Sequence, residues 1–293
     1  VKDQRLIIDK NTTIAQRGSF ARVAGEVSIS DSIINLQTEL EKVNIAPLGQ
    51  FVSDYLSNIA GMASGRVDVK GKLSDPQVSG KVNLSNAMLK VLFLGTTYSI
   101  ANADFNFNNR RIEMDDIILK DERKGNYFGM IRGHITHQNF DDFKLNFNVV
   151  SDDLLCMNTR AMDNDLFYGY VPAKVNVSVI GPIDNINVEV DAKPLKGAQF
   201  HLPINSSGDI STYDYIKFAK VGRDQDEDEE KATKPYYLNL GLNINATPDA
   251  EVFIVLDQNT GEEIRAKGNG AIKLNVDLGN SINMFGNYVI TEG

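Results

Sequence analysis

Tryptophan is absent from the 293 residues, cysteine occurs once and histidine three times. A lone Cys156 cannot close an internal disulfide, so cysteine usage does not choose a compartment, and the residue reads as a small buried apolar side chain. Histidine is too sparse and scattered for a zinc site. His134 and His137 lie three apart on an expected strand and so face opposite ways, while His201 belongs to another segment. Basic charge is also short: 30 Lys and Arg against 39 Asp and Glu give a net charge of −9. That balance excludes an electrostatic footprint for nucleic acid or for anionic headgroups, so a membrane role has to work through apolar surface. No apolar run reaches the roughly 20 residues of a spanning helix. Val1-Lys2-Asp3-Gln4 has neither an initiator Met nor the form of a signal peptide, and the chain reads as a piece of something larger.

The motifs of common chemistries are missing as well. There is no Gly-x-Ser-x-Gly elbow and no Gly-Lys-Ser/Thr phosphate loop, and Gly268-Asn269-Gly270 precedes an expected strand, not a helix. Carboxylates are plentiful at Asp115, Asp116, Asp152 and Asp153, but adjacent acids on a strand face opposite ways, and acids at turns serve the backbone. A glycan-active β protein is disfavoured by the lack of Trp and of a convergent acid pair. The expectation is a non-enzymatic protein without cofactor or metal.

What fills the sequence is period-two alternation. Phe143, Leu145, Phe147 and Val149 are separated by Lys144, Asn146 and Asn148, which puts every apolar group on one side of a strand. The pattern recurs at Val67 and Val69, Val82 and Leu84, Phe105 and Phe107, and Val175, Val177 and Val179. It returns at Ile186, Val188 and Val190, then Leu238 to Ile244, then Ile272, Leu274 and Val276. Turn signals such as Ser74-Asp75-Pro76, Asn108-Asn109, Lys124-Gly125-Asn126, Gly181-Pro182 and Gly279-Asn280 separate the runs. Short turns between consecutive strands predict an antiparallel meander with one apolar face. Gly71 to Val78 can also be laid over Gly181 to Val188, a weak echo 110 residues apart.

Two segments depart from the rule. Pro47 followed by Leu48, Phe51, Val52, Tyr55, Leu56 and Ile59 has helical spacing, which predicts one amphipathic helix over 47–60 capping an open end of the β core. A weaker helical stretch runs from Asp214 to Val221. The acidic run Asp224 to Glu230 has no apolar anchor and predicts a solvated loop over 222–235. It is not an EF-hand loop, because Glu229 stands where the Gly is required and Pro235 where the last Glu is required.

A one-sided meander hides its apolar face by closing, by stacking on another sheet, or by curving into a trough that something apolar occupies. Alternation is the same in all three. Lys267-Gly268-Asn269-Gly270-Ala271-Ile272-Lys273-Leu274-Asn275-Val276, followed by Gly286-Asn287-Tyr288-Val289-Ile290-Thr291-Glu292-Gly293, resembles the G-x-G…L and G-x-Y-x-I-x-x-G signature of TamB-like translocation and assembly module proteins, in the AsmA-like superfamily. Gly65 to Gly80, Ile100 to Gly133 and Asp165-Leu166-Phe167-Tyr168-Gly169 fit the same family, so the resemblance spans most of residues 60 to 293.

The resemblance implies an all-β fold: an elongated, curved antiparallel sheet forming a β-taco groove with an apolar interior, here taken as a single segment over 1–293. It implies a periplasmic body in the bacterial envelope, an upstream inner-membrane anchor, and a TamA- or BamA-like outer-membrane β-barrel partner met by C-terminal strands beyond Gly293. The residues expected to line the groove are Phe105, Phe107, Leu145, Phe147, Val177, Leu240, Leu242, Ile272 and Leu274. The expected function is conduction of phospholipid acyl chains between the inner and outer membranes, with chaperone-like assistance to outer-membrane β-barrel assembly as the alternative. A closed sandwich burying the same residues as an ordinary core is the third reading.

Overall fold

The fold is taken from a computed structural model that describes residues 5–10, 12–16, 19–139, 141–163, 167–203, 237–257, 260–277 and 281–293. The chain is all-β, and the alternating runs become the strands of one 17-stranded sheet. β1 (Arg5–Ile8) and β2 (Thr13–Gln16) lie in line along one side of β3 (Ser19–Ser28). From there the ladder is an antiparallel meander: β4 (Ile33–Asn44), β5 (Leu56–Lys72), β6 (Asp75–Val91), β7 (Thr96–Asn108), β8 (Arg111–Asp121), β9 (Phe128–Gln138), β10 (Asp141–Thr159) and β11 (Tyr168–Pro182).

Beyond β11 the pattern changes. β12 (Asn185–Pro194) and β13 (Gln199–Pro203) share its far side, and β14 (Tyr237–Ala246) and β15 (Glu251–Asp257) run parallel to them. β16 (Glu262–Asp277) pairs antiparallel with β14 and β15, and β17 (Ser281–Glu292) is the last strand. The two parallel pairings correct the purely antiparallel expectation. A tight turn enforces antiparallel neighbours, whereas parallel strands need a crossover of a dozen residues or more, and the chain from Pro203 to Tyr237 is long enough to supply one. The expected acidic loop over 222–235 and the weaker helix from Asp214 lie outside the described residues.

The predicted helix over 47–60 does not form. A short 3-10 helix, η1 (Ala46–Phe51), accepts Pro47 near its start, but it has no side-chain cap, no acid in its first turn and no base in its last. Leu56 and Ser57 pair instead with Val91 and Lys90 of β6, so ladder hydrogen bonds take the half of the segment that would have extended the helix. Of its apolar stripe, Leu48 and Phe51 stay 57% and 69% exposed, while Val52, Tyr55, Leu56 and Ile59 are half-buried.

Bulges bend the sheet between Met114 and Ile117, between Ser151 and Leu154, and between Leu155 and Met157. Glycine adds to the curvature at Gly133, whose φ of +147° is open to few other residues. The sheet is curved, with a barrel-like arrangement of six strands. Ala87, Tyr98, Ile100, Ala103, Met114, Ile117, Leu119, Leu154, Ala173 and Val175 form the main buried cluster. Each large aliphatic chain so buried contributes about 1.5–3 kcal/mol.

On the opposite face, polar cross-strand contacts set register. Asn239 donates to Asn185 and Asn187 at 3.2 and 3.0 Å, and Asn243 to Asp191 at 2.9 Å, which ties the parallel β12–β14 pair together. Further along, Tyr168, His201 and Phe253 stack in one row, with centroids 4.7 and 4.3 Å apart, and Arg265 extends the column over Phe253. Such aromatic pairs add about 0.5–1.5 kcal/mol each beyond burial, and here they clamp the second parallel pair, β13–β15.

Candidate functional site

The register places all nine expected groove residues on one face, in four consecutive rows that run across the strands. The first row holds Phe107, Ile112, Ile135 and Leu145. The next crosses Phe105, Met114, Gly133, Phe147, Val179, Val188 and Leu240. The third holds Ile131, Val149, Val177, Val190, Leu242 and Leu274, and the fourth Val175, Ala192, Ile244 and Ile272. Local alternation supplies each apolar residue; cross-strand register turns them into one surface. From β7 to β16 that surface carries no charged side chain in these rows.

Exposure along this face is graded. On β7, Tyr98, Ile100 and Ala103 are buried while Phe105 and Phe107 are half-buried; on β11, Ala173 and Val175 are buried while Val177 and Val179 are not. On β10, Leu154 and Met157 are buried and Phe143, Leu145, Phe147 and Val149 half-exposed. Of the nine, Leu240 and Leu274 are buried, and the other seven keep part of their surface accessible. On β7, β10 and β11 the face is therefore filled by its own side chains at one end and more open toward the other, whereas on β12 and β14 the buried residues, Ile186 and Leu240, lie toward that other end. A depression of about 720 Å³ is bordered by the whole fourth row, Val175, Ala192, Ile244 and Ile272, together with residues of the polar face, among them Lys174, Asp191, Lys193 and Lys273; Ile272 alone of the nine borders it.

The filled end is shut by a seam between strands that are not ladder neighbours. β10 pairs with β9 as far as Val150 and then swings toward β7 and β8. There the Tyr98 hydroxyl donates to the Leu155 carbonyl at 2.8 Å, and the Asn158 N–H donates to the Leu94 carbonyl at 2.8 Å. The Leu155 N–H donates to Asp121 at 2.7 Å, and the Asn158 amide donates to Glu122 at 2.5 Å. Arg123 donates to both Asp121 and Asp153, at 2.6 and 2.9 Å, and lies over the Tyr127 ring 3.8 Å from its centroid.

Burial by itself would raise the Asp121 carboxyl, but hydrogen bonds from Arg123 and from the Leu155 and Arg123 N–H groups outweigh it and hold the group below the usual carboxylate range. Burial likewise pushes the Tyr98 hydroxyl upward, and it pushes the Cys156 thiol beside it to about 12. Cys156 packs on the core as expected from the sequence. A second apolar cluster gathers here, with Phe167 between Phe93 and Phe200 at centroid distances of 5.5 and 5.7 Å.

Of the seam residues only Asp153 and Cys156 stood out in the sequence, because Asp121, Arg123 and Tyr98 carry no local pattern. Three of the four acids that stood out serve ion pairs: Asp116 with Arg132, Asp152 with Lys174, Asp153 with Arg123. His134 and His137 sit on β9, and no group of three metal-binding side chains occurs among the described residues.

A family model described as the TamB C-terminal domain matches residues 119–293, more than half of the chain. The chain belongs to the TamB family. No curated protein and no solved structure matches it significantly. The matched region begins within β8 and includes Asp121, Arg123 and the β10 side of the seam, together with all four rows from β9 onward; Leu94 and Tyr98 on the β7 side precede it. At the level of the family, TamB membership means a protein associated with the bacterial envelope, with a role in translocation and assembly or in lipid transport, and with TamA-like partners. No described helix is long and apolar enough to cross a membrane.

Proposed function

We propose that this TamB-family segment is a non-enzymatic periplasmic conduit that carries phospholipid between the inner and outer membranes, its acyl chains lying along the apolar face and its headgroup in water. The observation that supports it is the set of four uncharged rows crossing from β7 to β16, with seven of the nine expected residues partly accessible. Each CH₂ withdrawn from water contributes about 0.8 kcal/mol, so even a few methylenes resting on Leu145, Phe147 and Val177 give useful yet reversible affinity. Phe105, Phe107, Leu240, Leu242, Ile272 and Leu274 extend the same contact, and no polar recognition or bond chemistry is required of them.

The test is photo-crosslinking in the native envelope, with benzophenone residues at Leu145 and Leu242 and controls at Asn146 and Asn243 on the other face. Phospholipid adducts restricted to the two apolar positions are expected. Absence of adducts there means an ordinary closed core and refutes the conduit.

A second reading draws on β17. Among the described residues it pairs only with β16, and it exposes Met284, Phe285, Val289 and Ile290 at 55–65%, apolar groups on both of its faces. A strand of that kind pairs readily with another strand, as assistance to outer-membrane β-barrel assembly requires, with a TamA- or BamA-like barrel as partner. Protein adducts along β17 without lipid adducts at Leu145 are the outcome that favours it.

A further inference from the structure

We infer that the seam between β7 and β10 is a lateral gate, which must part for cargo to pass this stretch of the apolar face; the inference deepens the conduit reading and rests on it. Its starting point is a conflict in the geometry. An acyl chain can lie in an open trough while its headgroup stays in water, but behind the seam Tyr98, Ile100, Ala103, Leu119, Leu154, Ala173 and Val175 fill the interior, none more than 8% exposed. A chain cannot enter that space, and a headgroup cannot accompany it, while the walls are joined.

The join is built differently from the rest of the sheet. β10 and β11 pair from Lys144 to Thr159, interrupted only by the two bulges. Across the seam there are instead two backbone N–H donors, on Leu155 and Asn158, and a few side-chain contacts from Tyr98, Asp121, Glu122 and Arg123. Parting it therefore breaks a handful of discrete bonds, together with the apolar contacts of Leu154 and Cys156 on the cluster around Tyr98, and leaves the ladders on either side whole. The groups released can meet water: Asp153, Glu122 and Asn158 already lie near the surface, and Arg123 keeps a carboxylate and the Tyr127 ring on its own side. Gly95 contributes close approach, since a Cβ there would stand 2.4 Å from the Asn158 carbonyl oxygen. The seam thus has two separate arrangements, joined and parted, rather than a continuous range.

Hydrogen exchange on the whole chain tests the motion without any lipid. The amides of Leu155 and Asn158 are expected to exchange at least tenfold faster than those of Phe147 and Val149 on the same strand, through a local opening. Tyr98→Phe, which removes the hydroxyl and keeps the ring, is expected to raise the seam rates several-fold further and leave the Phe147 and Val149 rates unchanged. Seam amides that exchange no faster than Phe147 and Val149 overturn the gate.

Cargo is tested with vesicles of phosphatidylethanolamine and phosphatidylglycerol and a small diazirine amino acid at Leu154, behind the seam, or at Leu145, on the open part. A Glu122→Cys, Asn158→Cys pair in a Cys156→Ala background is joined by a short bis-thiol linker. Linking is expected to cut lipid adducts at Leu154 at least fivefold and to leave those at Leu145 unchanged. Equal labelling of Leu154 in linked and unlinked protein overturns the gate. Adducts at neither position refute the conduit reading and its cargo, while the exchange contrast separately decides whether the seam opens.

Discussion

Replacing Gly133 by alanine separates glycine as a structural element from glycine as a filler. The residue sits in the second apolar row, between Met114 and Phe147, with φ at +147°. An added Cβ would lie 2.3 Å from the Asn146 carbonyl oxygen and 2.5 Å from the Phe147 Cα, both backbone atoms of the paired strand, so no rotamer change relieves the clash. Backbone strain of this kind costs about 1–3 kcal/mol, and forcing atoms into a packed site costs about 1–3 kcal/mol more. The sum, about 2–6 kcal/mol, corresponds to a fall in melting temperature of roughly 3–10 °C for a chain of this size. Four residues away on the same strand, Gly129 has ordinary backbone angles, and its added Cβ would meet the Val149 Cγ1 at 3.2 Å, the end of a side chain that can give. Gly129→Ala is therefore expected to cost less than about 1 kcal/mol. Calorimetry of both variants, with urea unfolding beside it, makes the comparison. Equal losses at the two sites would refute the assignment of Gly133 to the bend of the apolar face.

Removing Asp121 should leave Arg123, 15% exposed, with the single carboxylate of Asp153, and it should strand the buried Leu155 N–H. Asp121→Ala is expected to destabilise by about 2–4 kcal/mol, read as a lower urea midpoint, and Arg123→Met by less, because Asp121 keeps its backbone donors. All three histidines, His134, His137 and His201, are held below the ordinary imidazole value, chiefly by burial. Their folded pKa values lie below the unfolded ones, so the unfolded chain takes up protons first; stability is full above about pH 6.5 and declines as the pH falls through and below that value. Urea midpoints at pH 7.5 and 5.5 check the sign, and a higher midpoint at pH 5.5 would contradict it. Cys156, with its thiol pushed to about 12, is expected to resist a maleimide at pH 7.5 in the folded chain and to react at once in 6 M guanidinium, which mass spectrometry reports directly.

Local alternation was enough to read an all-β chain with an apolar face, and to assign residues to that face. Phe143 to Val149 alternates so strictly that no other element accommodates it, and a side-chain period of two fixes the face of Leu145 and Phe147 whatever the partner strand. The same local logic misread 47–60, where helical spacing was real but the segment's second half found a better partner in β6. Nor did it show that β12 and β14 run parallel, since direction depends on where a long connection returns. Above all, which parts of the apolar face are filled and which accessible follows from contacts between distant strands. Tyr98 meets Leu155 across 57 residues and Asp121 meets it across 34. Contacts of that separation leave no trace in local periodicity, because alternation encodes the side of a strand and not the distance between the two walls it belongs to.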